Sequence, residues 1–229
     1  MTSASALRER HKSETRQLIL AAARRVFIRE GHARFTMREV AHSLACSPGA
    51  IYLYFGGKEE LLHCLVEESF SKLLDVLNDV PTGEDPTANL KARLRAYVNF
   101  GLMYPFHYHF AFLLPPTVER PKGGLPLTPH EAFEVLRRSV AECRWRGLMP
   151  SVDGETASQA LWAAVHGITS LLIAKPEFPW VERERLIAQV IDMAVDGLLS
   201  GAKASEGKRR VARDRKGGRT AAQGRHGAR

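Results

Sequence analysis

The sequence predicts an all-α fold: an N-terminal three-helix unit built around a helix-turn-helix, followed by a larger helical domain. Three observations predict it. Apolar residues recur at three-to-four spacing along most of the chain, with few alternating runs. Two helix-start signatures, Thr36-Met37-Arg38-Glu39 and Ser47-Pro48, lie eleven residues apart, which leaves room for one short helix and a tight turn. A run of turn chemistry, Val80–Pro86 (VPTGEDP), divides the two domains.

Each element has a local reason. Residues 1–12 are polar and read as a flexible N-terminal arm. From Ser13 to Glu30, Ile19, Ala22, Ala23, Val26 and Phe27 form one apolar stripe, and Gly31 supplies a C-terminal cap. Thr36 and Glu39 fit a capping box, in which the Thr36 hydroxyl accepts the Glu39 amide and Glu39 reaches back. The helix they open turns Val40, Ala41 and Leu44 inward. Ser47 is placed to cap the next helix, with Pro48 at the first helical position, where its missing N–H costs nothing. That helix runs to Phe55 and stops at Gly56-Gly57. Lys58 opens a long fourth helix through Asp79 that buries Leu61, Leu62, Leu65, Val66, Phe70, Leu73, Leu74 and Leu77. Further helices are expected near 86–104, 105–114, 128–147, 154–174 and 178–200, with breaks at Pro105, Pro115–Pro129, Gly147–Gly154 and Lys175-Pro176. Residues 203–229 contain no aromatic residue and are too polar to offset ordering entropy, so they read as a disordered basic tail.

Charge is distributed unevenly. The 229 residues carry 33 Lys+Arg and 25 Asp+Glu. Residues 1–58 hold ten basic and four acidic side chains, residues 59–202 thirteen and nineteen, and residues 203–229 ten and two. A basic head and tail around an acidic middle suggest that the ends meet a polyanion. Three scattered cysteines without a CxxC pair argue against a disulfide framework or a zinc site. The N-terminus lacks the apolar core of a secretory signal, and no uninterrupted apolar run has membrane-span length. The expectation is a cytoplasmic protein with no membrane partner. No GxSxG, Walker loop, HExxH or dinucleotide fingerprint is present, so no enzyme, catalytic residue or cofactor is expected.

The two helices between residues 36 and 55 carry the chemistry. In a helix-turn-helix the first helix braces on the DNA backbone and the second presents its N-terminal residues to the major groove. Ser47, Gly49 and the helix start offer OH and NH groups to phosphates, and Gly49 lets the backbone come close. Tyr52 and Tyr54 reach phosphates or base edges, and Lys58 adds a cation where the next helix begins. An aromatic pair before a Phe taken alone is core as often as not; the ordered set from Thr36 to Lys58 favours the interface.

These residues resemble a known family. The stretch Gln17-Leu18-Ile19-Leu20-Ala21-Ala22-Ala23, Val26-Phe27, Gly31, Thr36, Val40-Ala41 and Ser47 through Glu59 resembles the N-terminal domain of TetR-type transcriptional regulators, without a gap over residues 13–73. The resemblance implies a homodimer whose paired heads bind a palindromic operator in double-stranded DNA, usually as a repressor released by a small molecule. It places Thr36 on the backbone at the head of the second helix, Ser47, Pro48, Gly49 and Tyr52 at the groove, Tyr54 and Lys58 on phosphates, and Ile51 and Phe55 in the core. Ala45 stands where the family usually has the turn glycine, Cys46 where it has a buried valine, and Gly57 where it has a polar cap.

Residues 80–200 are read as the regulatory and dimerisation domain. Trp162, His166 and Gly167 resemble the Trp–His–Gly signature of one TetR-type subgroup, and Tyr97, Phe100, Pro105, Tyr108 and Phe112 fit it as well. By that resemblance the last two helices form a four-helix interface with their mates, to which Val165, Ile168, Leu172, Ile187, Val190, Ile191, Ala194 and Leu198 offer apolar faces, with Gly167 and Gly197 allowing close approach. Phe100, Met103, Tyr104, Phe106, Tyr108, Phe110, Trp162 and His166 are candidates for a partly apolar effector pocket; an ordinary core is the competing reading for each. His107 and His109 lie two apart and point away from each other on a helix, so they cannot share a metal ion there. The alternative function is a non-specific nucleoid-type DNA binder without effector. Deleting residues 203–229 is expected to flatten the salt dependence of DNA binding while leaving sequence preference intact, measured as the slope of log affinity against log salt; an unchanged slope contradicts a DNA-contacting tail.

Overall fold

The computed structural model describes residues 3–113 and 127–199, so the basic tail lies outside the described residues, as does most of the Pro115–Pro129 loop. The described residues form helices and turns: α1 (Ser3–Arg34), α2 (Met37–Ser43), α3 (Pro48–Tyr52), α4 (Lys58–Asn78), α5 (Pro86–Met103), α6 (Pro105–Phe112), α7 (Leu127–Trp145), α8 (Gly154–Ala174) and α9 (183–199). Among the described residues two compact units are present, one comprising 3–76 with 103–113 and 127–133, the other 77–102 with 134–199. The chain leaves the first unit close to the expected break at residue 80. It then re-enters that unit with α6, which the sequence reading had assigned whole to the second domain.

The first unit is built on one apolar cluster. Ile19, Ala22, Ala23, Val26 and Phe27 of α1, Val40 and Ala41 of α2, Ile51 of α3, Phe55, and Leu61, Leu62 and Leu65 of α4 are all buried in it. Phe110 of α6 joins them, its ring centroid 4.4 Å from that of Phe27. Arg24 of α1 grips Glu68 of α4 through two contacts of 2.6 and 2.9 Å. His107, on α6, meets Ser69 of α4 at 3.1 Å. The Ser69 hydroxyl donates to the Leu65 carbonyl at 2.6 Å, so it accepts from His107 Nδ1–H. Burial lowers the His107 pKa, with the Arg24 charge adding to the effect, and the ring is held neutral.

Three boundaries differ from the sequence reading. The stretch taken as a flexible arm is helical from Ser3, supported by an Arg10–Glu14 pair one turn apart and a Thr15 hydroxyl bonded to the His11 carbonyl. At Gly31 (φ 71°, ψ 176°) the backbone is non-helical, so the first stretch of α1 stops where the sequence places its cap; the difference is the short second helical stretch that continues through Arg34. The last helix begins at 183 instead of 178. Pro179 disfavours helical geometry at Phe178, and the Glu182 carboxylate caps the amides of Glu184 and Arg185 at 2.9 and 2.6 Å.

In the second unit, α5 is the hub. It bonds to α7 through Arg93 and Ser139 (3.0 Å), to α9 through Lys91 with Asp192 and Asp196 (2.8 Å each), and to α8 through Tyr97. Asp153 caps α8 by accepting the Thr156 amide at 2.9 Å. By length and composition α8 is apolar enough to cross a membrane. Polar residues such as Gln159, His166 and Thr169 interrupt the uninterrupted run that the sequence reading looked for. Its Ala157, Leu161, Val165, Ile168 and Leu172 are buried within the chain. The cysteines are free, and burial pushes the Cys143 thiol up to about 11.

Ala45, in the α2–α3 turn, has φ 52°, a left-handed conformation that a β-carbon disfavours. Ala45→Gly is expected to raise stability by up to ~1 kcal/mol, the relieved strain being partly offset by the greater freedom of glycine in the unfolded chain. Chemical denaturation of the two proteins checks this; a lower midpoint for the variant contradicts it.

Candidate nucleic-acid interface

The candidate interface is assembled by one cap, one turn and one anchored helix. Thr36 is extended (φ −137°, ψ 156°), and its hydroxyl accepts the Glu39 amide at 3.2 Å, fixing where α2 begins. The Glu39 carboxylate sits 3.8 Å from the Arg29 guanidinium. Three amides of the turn, from Leu44, Ala45 and Cys46, bond back to the Ala41 and His42 carbonyls at 3.1 Å each. Ser47 occupies the cap position of α3 with extended geometry, yet its side chain makes no capping bond, contrary to the sequence expectation. Pro48 at the start of the helix removes one amide that would otherwise need a partner, and the Ala50 amide bonds to the Ser47 carbonyl at 3.0 Å.

Burial sets the rotation of α3. Ile51 and Phe55 are each 1 % exposed within the head core. With those two inward, Ser47, Pro48, Gly49 and Tyr52 face solvent, as does Thr36. Helix α3 is shorter than expected, ending at Tyr52, and residues 53 and 54 continue as a turn. A β-carbon at Gly49 would meet nothing nearer than the Ser47 hydroxyl at 3.8 Å, so the fold itself leaves space there.

The remaining two predicted contacts are differently placed. Tyr54 is half-buried against the head core, and its carbonyl accepts a hydrogen bond from Arg16. Lys58 folds back, its Nζ 3.4 Å from the His32 carbonyl and 5.8 Å from the Phe35 ring centre. Sequence reasoning missed Arg16, whose guanidinium also stacks 4.2 Å from the Phe55 ring centre and lies 3.9 Å from Glu60. It ties α1 to the segment that follows α3, and no spacing rule joins residues 38 positions apart. Leu53, 80 % exposed beside Tyr52, and the exposed Arg38 and His42 on α2 were also passed over. Each is a side chain whose direction depends on the packed helix rather than on its own type. Cys64, next to Arg16 at 3.6 Å, is a half-buried thiol whose pKa is raised by that partial burial.

The effector-pocket candidates divide between the two units. In the first, Phe106 and Phe110 stack on Phe27 at 6.4 and 4.4 Å and on each other at 4.5 Å, Tyr108 is fully buried, and Tyr104 has Lys72 4.2 Å over its ring. In the second, Phe100 is buried, while Trp162 and His166 come together with Tyr97. The Trp162 indole donates to the Tyr97 hydroxyl at 3.2 Å, and that hydroxyl lies 3.0 Å from His166 Nδ1. Burial lowers the His166 pKa. Met103 is largely exposed. No cluster of three or more His, Cys, Asp or Glu side chains suited to a metal occurs among the described residues.

Comparison with known proteins gives two family matches. Residues 19–65 match the model for bacterial regulatory proteins of the tetR family, and residues 90–198 match the model of a tetracyclin repressor-like C-terminal domain. Among curated proteins, an uncharacterized HTH-type transcriptional regulator, YfiR of Bacillus subtilis, is 31% identical over 84 residues, covering 37% of this chain and 41% of its own length. The HTH-type transcriptional repressor AcnR of Corynebacterium glutamicum is 34% identical over 67 residues, 29% of this chain and 36% of its own. The matched stretch thus spans about two fifths of the length of these relatives. The crystal structure of PfmR, a TetR family transcriptional regulator from Thermus thermophilus, shares the fold with a TM-score of 0.61 at 20% identity, covering 79% of this chain and 98% of that one.

The burial pattern predicts opposite stability effects at adjacent residues. Ile51→Ala is expected to cost about 2–5 kcal/mol by leaving a cavity in the head core. Tyr52→Ala should stay within about 0.5 kcal/mol of the parent. Arg16→Ala should cost about 1–3 kcal/mol through its lost charged hydrogen bond and ring contact. Thermal and denaturant unfolding of the three variants separates these outcomes, and a Tyr52→Ala loss as large as that of Ile51→Ala contradicts the rotation of α3 described above.

Proposed function

This chain belongs to the TetR family of bacterial regulatory proteins, and on that premise we propose that it is a sequence-specific DNA-binding transcriptional regulator of the cytoplasm. It acts as a homodimer on a palindromic operator, as a repressor released by a small, partly apolar effector. The observation that carries this reading is the solvent-facing run Ser47-Pro48-Gly49 with Tyr52, presented by a helix whose opposite side is locked into the head core. Such a helix start brings amides, a hydroxyl and a phenol to a groove. Exposed Leu53 adds an apolar group suited to a thymine methyl. Tyr54 and Lys58 contribute phosphate contacts on this reading, Lys58 by swinging away from the His32 carbonyl.

The dimer interface we propose keeps Gly167 and Gly197 from the set expected from the sequence and drops its buried members. Val165, Ile168, Leu172, Ile187 and Ile191 are buried inside the chain and are unavailable to a mate. The apolar stripe they form serves the chain's own core. The opposite side of α8 carries Ala160, Ala163, Gly167, Leu171 and Ala174 at three-to-four spacing, and α9 exposes Met193 and Gly197. A β-carbon at Gly167 or Gly197 would meet nothing within 4 Å, so both lie on open faces. Small residues in this pattern let two helix pairs approach closely. For the effector, Tyr97, Trp162 and His166 supply the polar groups, a phenol, an indole N–H and an imidazole whose charged form is disfavoured by burial.

A dimer with two heads must fit grooves one helical turn apart, so an effector that stabilises another spacing lowers operator affinity by population shift. Selection of bound duplexes from a random pool at near-physiological salt is expected to enrich a palindrome, and Gly49→Ala or Tyr52→Ala to reduce affinity for it at least tenfold without lowering the unfolding midpoint. Binding without enrichment favours the nucleoid-type reading, with the basic tail as the main contact. Ala163→Glu is expected to yield monomers by sedimentation and to abolish operator binding; a dimeric variant overturns the proposed interface.

A further inference from the structure

The N-terminal third of α1 has no role in the head's core. Residues 5–14 are exposed, Leu7 included, and the helix there is sustained by local contacts such as the Arg10–Glu14 pair at 2.9 Å. A helix that buries nothing is marginal alone, and this one persists as a continuation of the packed part of α1. Its charges are not evenly spread. Arg10 is matched by Glu14, whereas Arg8 and Lys12 lie four residues apart on one face, and among the described residues neither meets a carboxylate within 4 Å.

Where this segment starts from fixes what it can reach. Arg16, the residue at which α1 enters the head, bonds to the Tyr54 carbonyl and stacks on Phe55, directly behind the exposed end of α3. The helix ahead of Arg16 therefore springs from the flank of the candidate interface. At 1.5 Å per residue it runs about 20 Å from Arg16 to Ser3, roughly six base pairs of duplex.

We propose that this helical extension is a second DNA contact, in which Arg8 and Lys12 neutralise backbone phosphates flanking the half-site read by α3. The proposal rests on the DNA-binding reading and goes beyond it. The contact carries no base readout, so it adds affinity and salt dependence and leaves sequence preference alone. Counterion release contributes about 0.9 to the slope of log affinity against log salt for each phosphate engaged, so the double variant Arg8→Ala/Lys12→Ala is expected to lower the slope by roughly 1.8 per head.

The test uses the full-length chain and a mixed-sequence duplex of about 40 base pairs, on which the phosphate contact is present whatever the operator. Arg8→Ala/Lys12→Ala should flatten the slope, and Arg10→Ala, on the opposite face and paired with Glu14, should leave it unchanged. All three residues are exposed, so unfolding midpoints should not move. The same slope for the double variant and the parent overturns the proposal, as does an equal effect of Arg10→Ala. Failure of the operator reading has a different signature, namely no enriched palindrome in the selection experiment, with Arg8 and Lys12 still contributing to the slope.

Discussion

The burial of Ile51 and Phe55 in the head core governs the candidate interface. Helix α3 has five residues, far fewer than an isolated helix needs in water, so its existence and its rotation come from tertiary packing. Two buried side chains one turn apart contribute about 1.5–3 kcal/mol each and define an inner edge. The outward direction of Ser47, Gly49 and Tyr52 follows from that edge. Arg16 reinforces it from α1, and the Thr36 cap and the strained Ala45 turn set the angle at which α2 hands over to α3. A helix this short is held by the packing of its inner edge against α1, α2 and α4 rather than by its own backbone hydrogen bonds.

The second unit uses a different economy. Its hub, α5, buries Leu90, Leu94, Val98 and Phe100 and adds polar and charged links to its neighbours, several of them near the surface, where ion pairs contribute little. Its apolar burial lies on α5, α7, α8 and α9 in spaced positions such as Leu94, Val98, Val140, Leu161, Val165, Ile187 and Val195. The half-buried Trp162–Tyr97–His166 chain of hydrogen bonds sits among them. A polar network of this kind is held in place by its own satisfied partners. A ligand that altered one member would be felt by the other two, on α5 and α8.

Periodicity proved a good guide to burial and a poor guide to what does the burying. The stripe Val165, Ile168, Leu172 is apolar and helical, and it looks the same whether it meets its own chain or a second copy. The folded chain resolves the ambiguity by using it internally and leaving alanine, glycine and leucine on the outer side of α8. The aromatic cluster illustrates the same point. Phe106 and Phe110 were grouped with Trp162 by composition, but their rings are stacked on Phe27 in the head core.

What the residues alone settle is local. The Thr36 cap, the Pro48 start, the inward phase of Val40 and Leu65, and the break near Val80 all depend on groups within a few positions of one another, and all are legible in the chain. Some local features still depart from the expectation: α1 is helical from Ser3, where good helix formers and an i,i+4 pair suffice, the Ser47 side chain makes no cap, and the last helix starts at 183. The remainder was decided by folding. Arg16 reaching Tyr54, Lys58 turning back to His32, α6 joining the head and the choice of face on α8 all join residues distant in sequence, or select between two sides of one helix. Sequence periodicity fixes which residues share a face; which partner that face meets depends on contacts that exist only once the chain is packed.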